Sequence, residues 1–336
     1  MSARLDLDGW LPVTLRRAAE GPMVDWCYLG DDRLTDPFFD DTIARRLADP
    51  FSMLFRHHTP LDVLAELAAS LPGVPPAGFI FHQTRCGSTL VSQLLAARPE
   101  HVVVSEASVV AAALDDRRWP ELAATSRMER LGWLLSALGR RPAGDATSLF
   151  VKFDGWHTGQ LAAIHEAYPT VPWVFVFRHP YEILVSHQEH PGSLMLPGVI
   201  GPSAVGLDES AWLLEPEAYR AEVVRSLGEA ALEAVDGGLL VDYRDLPEAF
   251  DTIAAHFGLD PDVVGIERHG DVVGRDAKAP GRAFVPDSAA KQARVTPALR
   301  RVAEGALATY EQLAARAAQG AAGRVGSGRV TSGAVA

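Results

Sequence analysis

The stretch HQTRCGST, residues 82–89, places an arginine, a cysteine, a glycine and three hydroxyl side chains between two apolar segments. The run FIF before it is typical of a buried strand, and LVSQLL after it is typical of a helix. Backbone N–H groups and a helix N-terminus converge at such a corner and attract anions. The predicted anion site comprises Thr84, Arg85, Cys86, Gly87, Ser88 and Thr89. The alternative is an ordinary helix start with hydroxyl caps and a surface arginine.

Three known motifs do not fit this corner. A Walker A loop needs GxxxxGK[ST], but Gly87 is followed by Ser88 instead of lysine, and no glycine lies five residues before it. The dinucleotide fingerprint GxGxxG is absent. The hydrolase elbow GxSxG fails because no second glycine follows Ser88 at the required position.

A second anion corner is predicted in WVFVFRHPYEILVSH, residues 173–187. Arg178 lies at the end of an apolar strand, and Pro180 suits the first turn of the following helix. Ser186 follows Arg178 by eight residues, so an arginine and a helix hydroxyl could bind a second phosphate together. The alternative is that Arg178 pairs with a carboxylate and that Ser186 faces solvent.

The first corner resembles the 5′-phosphosulfate loop of sulfotransferases that use 3′-phosphoadenosine 5′-phosphosulfate (PAPS). That loop has the form Pro-Lys/Arg-Ser-Gly-Thr/Ser-Thr after a first strand, and Arg85 stands at its basic position. Cys86 replaces the usual serine, and Leu90 replaces a tryptophan that many eukaryotic members carry. The resemblance covers about residues 78–318 and implies a P-loop-NTPase-like sulfotransferase fold of the bacterial kind.

The second corner resembles the family's 3′-phosphate motif, in which R-D/N-P is followed by a serine at the same spacing, with His179 at the acidic or amide position. Two phosphate sites imply PAPS as the donor and adenosine 3′,5′-bisphosphate as the product, since ATP lacks the 3′-phosphate. VDYRDLPEAF is similar to a Y-E-D-L segment, which implies that Tyr243 contacts adenine. The family has a late basic loop at the position of GRDAKAPGRAFVPDSAAKQ, residues 274–292. The resemblance implies that Lys278 and Arg282 lie near the 3′-phosphate. A solvated charged loop is the alternative.

Sulfuryl transfer by in-line displacement needs a base that takes the acceptor's proton. Glu106 follows the second strand, at the carboxyl edge of a parallel sheet, and several branches of the family have a base glutamate there. A carboxylate that stabilises the next helix is the alternative. The resemblance implies that Lys152, at the end of the third strand, binds the sulfuryl oxygens or the acceptor, and that Arg85 stabilises the bridging oxygen. Asp154 and His157 are alternative bases.

Short apolar strands alternate with amphipathic helices from residue 78 onward. This alternation predicts an α/β three-layer sandwich with a central parallel sheet. We expect three regions: an N-terminal helical cap (1–75), the sulfotransferase domain (76–318) and a disordered tail (319–336). The Gly- and Pro-rich apolar segment 189–217 is predicted to wall an acceptor site suited to an apolar or aromatic hydroxyl compound.

The composition argues against several classes of protein. A formal charge of −12 over 336 residues does not favour general nucleic-acid binding. The two cysteines form no disulfide framework or zinc set, and no signal peptide or membrane-length apolar run is evident, so we expect a cytoplasmic protein without a metal. The expected function is sulfuryl transfer to a hydroxyl or amine of a small molecule. An ATP-dependent phosphotransferase and a non-catalytic nucleotide-binding protein stay open, as does the oligomeric state, a homodimer included.

Overall fold

The computed structural model describes residues 7–122, 124–140, 146–234, 236–265, 267 and 270–327. Its first part contains three strands, β1 (Trp10–Ala18), β2 (Gly21–Tyr28) and β3 (His57–Pro60), paired antiparallel in that order. Three short helices accompany them: α1 (Phe39–Leu47), α2 (Pro50–Leu54) and α3 (Asp62–Ser70).

The prediction of a purely helical N-terminal cap is therefore wrong for residues 10–28. These residues form a hairpin, which turns before Gly21, where φ is +118°. Val13, Leu15, Val24 and Trp26 are buried at alternate positions, as in a half-buried strand, whereas the first four residues of β1 are buried on both faces. The boundary at residue 75 stays a prediction.

The central sheet has five parallel strands in the order β5-β6-β4-β7-β8. They are β4 (Pro76–His82), β5 (His101–Ser105), β6 (Ser148–Lys152), β7 (Trp173–Phe177) and β8 (Gly238–Asp242). The chain starts in the middle, at β4, goes to one edge and returns, and then continues to the other side. Strand order reverses beside β4, and ligands of open α/β sheets bind outside the carboxyl ends at such a point.

Twelve further helices follow the first three within the described residues: α4 (Ser88–Ala96), α5 (Ser108–Ala113), α6 (Arg127–Leu138), α7 (Leu161–Ala167), α8 (Pro180–Glu189), α9 (Pro216–Glu233), α10 (Phe250–His256), α11 (Pro261–Val264), α12 (Gly270–Val273), α13 (Ser288–Ala293), α14 (Pro297–Val302) and α15 (Glu304–Ser327). Strands β9 (Arg275–Asp276) and β10 (Ala279–Ala283) form a small hairpin. Short 3-10 helices cover Pro120–Leu122, Gly155–Gln160, Ser193–Met195, Pro202–Val205, Glu209–Leu213 and Tyr243–Asp245. No helix among the described residues combines the length and apolar character that crossing a bilayer requires.

Side chains of the central strands alternate between two apolar clusters. Phe79 and Phe81 of β4 pack on one face with side chains of α5, α6, α7 and α15. Ile80, between them, packs on the other face with side chains of α4, α10 and α12. A sheet buried on both faces between helices is a three-layer sandwich, so the predicted α/β fold class is confirmed.

Two predicted segments differ from the structure near the C-terminus. Residues 274–292, expected to form a late basic loop, contain the β9–β10 hairpin and most of α13. The tail predicted as disordered is helical through Ser327, because α15 continues into the alanine-rich stretch AARAAQGAAG and alanine is the best helix former. Residues 328–336 lie outside the described residues.

Candidate donor and acceptor site

The loop between β4 and α4 has a backbone that concentrates N–H groups. Arg85 has φ +59° and Gly87 has φ +87°, so the chain turns sharply before the helix begins at Ser88. A Cβ atom at Gly87 would lie 2.9 Å from Cδ2 of Tyr243, which explains why glycine is required there. The amides at the start of α4 have no partner within the helix, which leaves them available to an anion.

Side chains beneath this loop hold it in place. Cys86 is buried, and its Sγ donates to the carbonyl oxygen of Gln83 at 2.6 Å. Thr84 Oγ1 lies 3.1 Å from Nε2 of His187, whose Nδ1 accepts a hydrogen bond from the N–H of Gly192 at 3.2 Å. Nε2 is therefore the protonated nitrogen, and burial lowers the pKa of His187 to about 3. Sequence reasoning missed His187, which ties the loop to α8 and the segment after it.

A cavity of about 640 Å³ opens above the loop at the carboxyl ends of the strands. It brings together most of the residues predicted as a site from the sequence: Thr84, Arg85, Cys86, Gly87, Ser88, Thr89, Glu106, Arg178, Ser186, Tyr243 and Lys278. Two predicted residues do not line it. Lys152 is buried directly below, and Arg282 lies on the exposed strand β10.

The β9–β10 hairpin explains why Lys278 and Arg282 differ. Lys278 is in the turn of this hairpin, and its Nζ lies 5.5 Å from the ring centre of Phe38 at the cavity mouth. Although the residue as a whole is exposed, its ammonium is partly removed from water and lies near Lys152, which lowers the pKa of Lys278 to about 8. Arg282, on the strand that follows, does not line the cavity, and its placement near the 3′-phosphate stays a prediction.

Arg178 is buried and fully engaged by protein acceptors. Its Nε donates to Glu182 at 2.7 Å, and its Nη2 donates to Asp287 at 2.7 Å and to Ser288 at 3.1 Å. The guanidinium also lies 3.9 Å from the ring centre of Tyr243. Arg178 therefore both pairs with carboxylates, as the alternative predicted, and lines the cavity together with half-buried Ser186.

A cluster of charges lies where β5, β6 and β4 end. The register places Ser105 beside Lys152, so Glu106, the next residue, meets the Lys152 ammonium in an ion pair. Lys152 Nζ is also 3.4 Å from Thr89 Oγ1 at the start of α4. Burial opposes the charge of Glu106, but Lys152 and His82 outweigh burial and hold the pKa of Glu106 well below its usual range.

His82, the last residue of β4, is doubly protonated. Its Nδ1 lies 2.8 Å from the carbonyl oxygen of Gln83, and its Nε2 lies 3.0 Å from that of Phe153 and 3.4 Å from a Glu106 carboxylate oxygen. Carbonyl oxygens only accept, so both ring nitrogens must donate. Burial and Lys152 disfavour the cation, but the contacts with Cys86 and Glu106 outweigh them and raise the pKa of His82 to about 9.

A second cavity, of about 890 Å³, adjoins the first. Its walls come from the region of α5 and the loop after it, from residues 154–160 and from residues 199–206. The predicted wall segment 189–217 therefore lines this cavity. The residues common to both cavities are Asp40, Glu106, Asp154, Trp156 and Ser193. Small molecules bound in the two cavities would meet at this shared wall.

His157 and the cysteines offer little chemistry. His157 is buried, and burial lowers its pKa to about 3, so it stays neutral. Cys27 and Cys86 are both free and buried. Among the described residues, no group of three His, Cys, Asp or Glu side chains is arranged to hold a metal ion.

No protein-family model and no curated protein sequence matches the chain. Solved structures with a similar fold include the sulfotransferase domain of the Synechococcus PCC 7002 olefin synthase, with a TM-score of 0.43 and 15% identity over 72% of this chain and 96% of that one. A sulfotransferase from Alicyclobacillus acidocaldarius has a TM-score of 0.42 and 17% identity, covering 73% of this chain and 96% of that one. Sulfotransferase STF9 from Mycobacterium avium has a TM-score of 0.45 and 12% identity, and the match covers 74% of this chain and 80% of that one. Likenesses this distant carry no argument about activity.

Proposed function

We propose that this chain is a sulfotransferase that moves a sulfuryl group from PAPS to a hydroxyl or amine of a small-molecule acceptor. The observation that supports it is the meeting of two anion corners in one cavity. The loop that contains Arg85 and Gly87 and the strand end that contains Arg178 come from β4 and β7, which are adjacent in the sheet. A ligand with charge at two separated positions suits this arrangement better than a ligand with one phosphate cluster.

The residues present fit PAPS in character. The loop amides, Ser88 and Thr89 would hold the 5′-phosphosulfate, and Gly87 lets Tyr243 pack closely against this loop. Arg178 and Ser186 would hold the 3′-phosphate, and Tyr243 would contact the adenine beside them. Because Asp287 already occupies one side of the Arg178 guanidinium, the 3′-phosphate would replace this exposed carboxylate.

The acceptor would lie in the second cavity. Leu15, Leu114, Trp119 and Ile200 give this cavity apolar walls, which suit a compound with an apolar or aromatic body. Its reactive hydroxyl or amine would lie at the wall shared with the first cavity. Arg85 and Lys152 would stabilise charge on the transferring group and on the leaving oxygen. That Glu106 takes the acceptor's proton stays a prediction, and its tight pairing with Lys152 speaks against it.

Thermal unfolding with adenosine 3′,5′-bisphosphate tests the donor site, with matched concentrations of AMP, ADP and ATP plus magnesium as comparisons. Ligand at a hundred times its dissociation constant should stabilise the fold by about 2.7 kcal/mol. A large shift with the bisphosphate and small shifts with the others are expected. A shift with ATP alone would instead favour a phosphotransferase, and no shift with any nucleotide would refute the proposed donor.

Transfer itself is tested with PAPS labelled in its sulfuryl group and a set of phenols and amines. Labelled sulfate ester or sulfamate is the expected product. Bisphosphate binding without transfer to any acceptor or to water would favour a non-catalytic nucleotide-binding protein.

A further inference from the structure

Asp154 has an unusual environment for a carboxylate. It follows β6 and stands at the N-cap of the 3-10 helix Gly155–Gln160, but its side chain makes no capping hydrogen bond. Only 8% of the residue is exposed, and it lines both cavities. Among the described residues, no N–H or O–H group donates to its carboxylate, and His157 Nδ1 is 3.7 Å away, beyond hydrogen-bond distance. Buried carboxylates without donors are rare, and they favour the protonated form.

Glu106, another carboxylate at this wall, is in the opposite situation. Lys152 and His82 satisfy it and keep it ionised, so it is a weak base. The charged groups that face Asp154 are Glu106, Lys152, His82 and Asp40, and neutral His157 lies beside it. Burial, followed by the negative charge of Glu106, raises the pKa of Asp154 to about 8. A base with a pKa near the working pH is the most effective kind.

We propose that Asp154, rather than Glu106, accepts the acceptor's proton, an inference that rests on the proposed sulfotransferase function. The acceptor oxygen, in the second cavity, attacks sulfur and forms the new O–S bond. The bond from sulfur to the bridging oxygen breaks, and its electron pair stays on the 5′-phosphate of the product. The acceptor's O–H proton passes to the Asp154 carboxylate, which later releases it to water. Glu106 acts as a positioning residue that keeps Lys152 in place.

The proposal fixes the sign of the pH dependence. Asp154 works as the carboxylate, so kcat/KM for the acceptor should rise about tenfold per pH unit below about pH 8 and then level off. Lys278 also titrates near this pH, but its loss of charge weakens the site as pH rises. The rising limb therefore reports Asp154, and it should disappear in Asp154→Asn.

The test compares wild type, Asp154→Asn and Glu106→Gln with two phenols at pH 8. 2-Naphthol is largely un-ionised and needs a base, whereas 4-nitrophenol is already largely ionised and does not. We expect Asp154→Asn to lose about 10²- to 10⁴-fold in kcat/KM with 2-naphthol and far less with 4-nitrophenol. Affinity for adenosine 3′,5′-bisphosphate, measured by calorimetry, should stay within about twofold, a result that also shows that the variant is folded.

Asp40→Asn is the matched control, because it removes a carboxylate from the same wall, one that already accepts a hydrogen bond from Ser108 at 3.1 Å. It should change the rate much less than Asp154→Asn. Equal losses on both phenols in Asp154→Asn, a rate close to wild type with 2-naphthol, or a larger base-dependent loss in Glu106→Gln would each overturn the proposal. Wild type that transfers to no member of the phenol and amine set and not to water would refute the proposed function itself, and this inference with it.

Discussion

Replacing Asp287 with asparagine should strengthen bisphosphate binding. Arg178 is held by two carboxylates of different exposure: the Glu182 side chain is 7% exposed and the Asp287 side chain 47%. If the 3′-phosphate binds Arg178, it must compete with Asp287 for Nη2 and must bear the repulsion of this carboxylate. Asp287→Asn removes that competitor, while Glu182 still orients the guanidinium.

The size of the effect follows from Coulomb's law. Two unit charges about 5 Å apart interact by about 3 kcal/mol at an effective dielectric constant of about 20. The exposure of Asp287 and salt screening reduce this to about 1 kcal/mol, which corresponds to roughly fivefold tighter binding. Loss of the Asp287–Lys291 pair acts in the same direction, because it frees another cation that lines the same cavity.

Isothermal titration calorimetry at low and moderate salt is the assay, with adenosine 3′,5′-bisphosphate and AMP as ligands. The increase in affinity should be confined to the bisphosphate and should become smaller as the salt concentration rises. Glu189→Gln is a matched control, because Glu189 pairs with Arg294 at 2.7 Å between α8 and the end of α13, away from the cavity. Unchanged or weaker bisphosphate binding in Asp287→Asn, or an equal gain for AMP, would refute the placement of the 3′-phosphate at Arg178.

Three further predictions concern the same cavity. Gly87→Ala should weaken bisphosphate binding by about tenfold or more and lower the midpoint of thermal unfolding. The reason is that φ is +87° at this position, where an alanine is strained by about 1–3 kcal/mol. Calorimetry measures the affinity, and thermal unfolding measures the midpoint. Lys152→Met should lower the free energy of unfolding by about 3–5 kcal/mol, because it leaves Glu106 without its ion-pair partner. Urea unfolding at pH 7 measures this change. The double variant Lys152→Met, Glu106→Gln should recover part of the lost stability. Bisphosphate affinity of wild type should fall roughly threefold to fivefold from pH 7 to pH 9 as Lys278 loses its charge and Asp154 gains one. Lys278→Gln should lessen this fall, and a slope as steep as that of wild type would exclude Lys278 as a source of it.

Local patterns in the sequence predicted the sheet because each parallel strand is a short apolar run followed by a polar corner. Residues 79–81 and 173–177 are examples, and both form strands at the positions expected. The β1–β2 hairpin was missed, since its strand WLPVTLRRA has both apolar and charged residues in a period that also suits a short helix. The pairing of Trp10 with Tyr28 and of Leu15 with Val24 decides between the two, and it becomes apparent only when both strands are present.

The residues of the candidate site also fall into those that the sequence could predict and those that it could not. Residues placed by backbone topology, such as Gly87 and Arg178, could be predicted, because parallel strands bring their carboxyl ends to one edge. Residues that act through side-chain contacts across the chain could not. The Thr84–His187 and Arg178–Asp287 contacts each join segments more than a hundred residues apart. No spacing in the sequence encodes such a contact.

The partners of the buried cations indicate which part of the site must change when the donor binds. Asp287 stands at Arg178 where a 3′-phosphate would bind, and Glu106 stands at Lys152 beside the place of the sulfuryl group. Asp287 can move into water at little cost, whereas the departure of Glu106 would leave Lys152 as an uncompensated buried charge, which costs about 3–5 kcal/mol. We therefore expect the 3′ end of the site to exchange partners and the Lys152–Glu106 pair to persist. Of the three carboxylates at the shared wall, Asp40 accepts a hydrogen bond from Ser108 and Glu106 stays paired with Lys152, which leaves Asp154 free to take a proton.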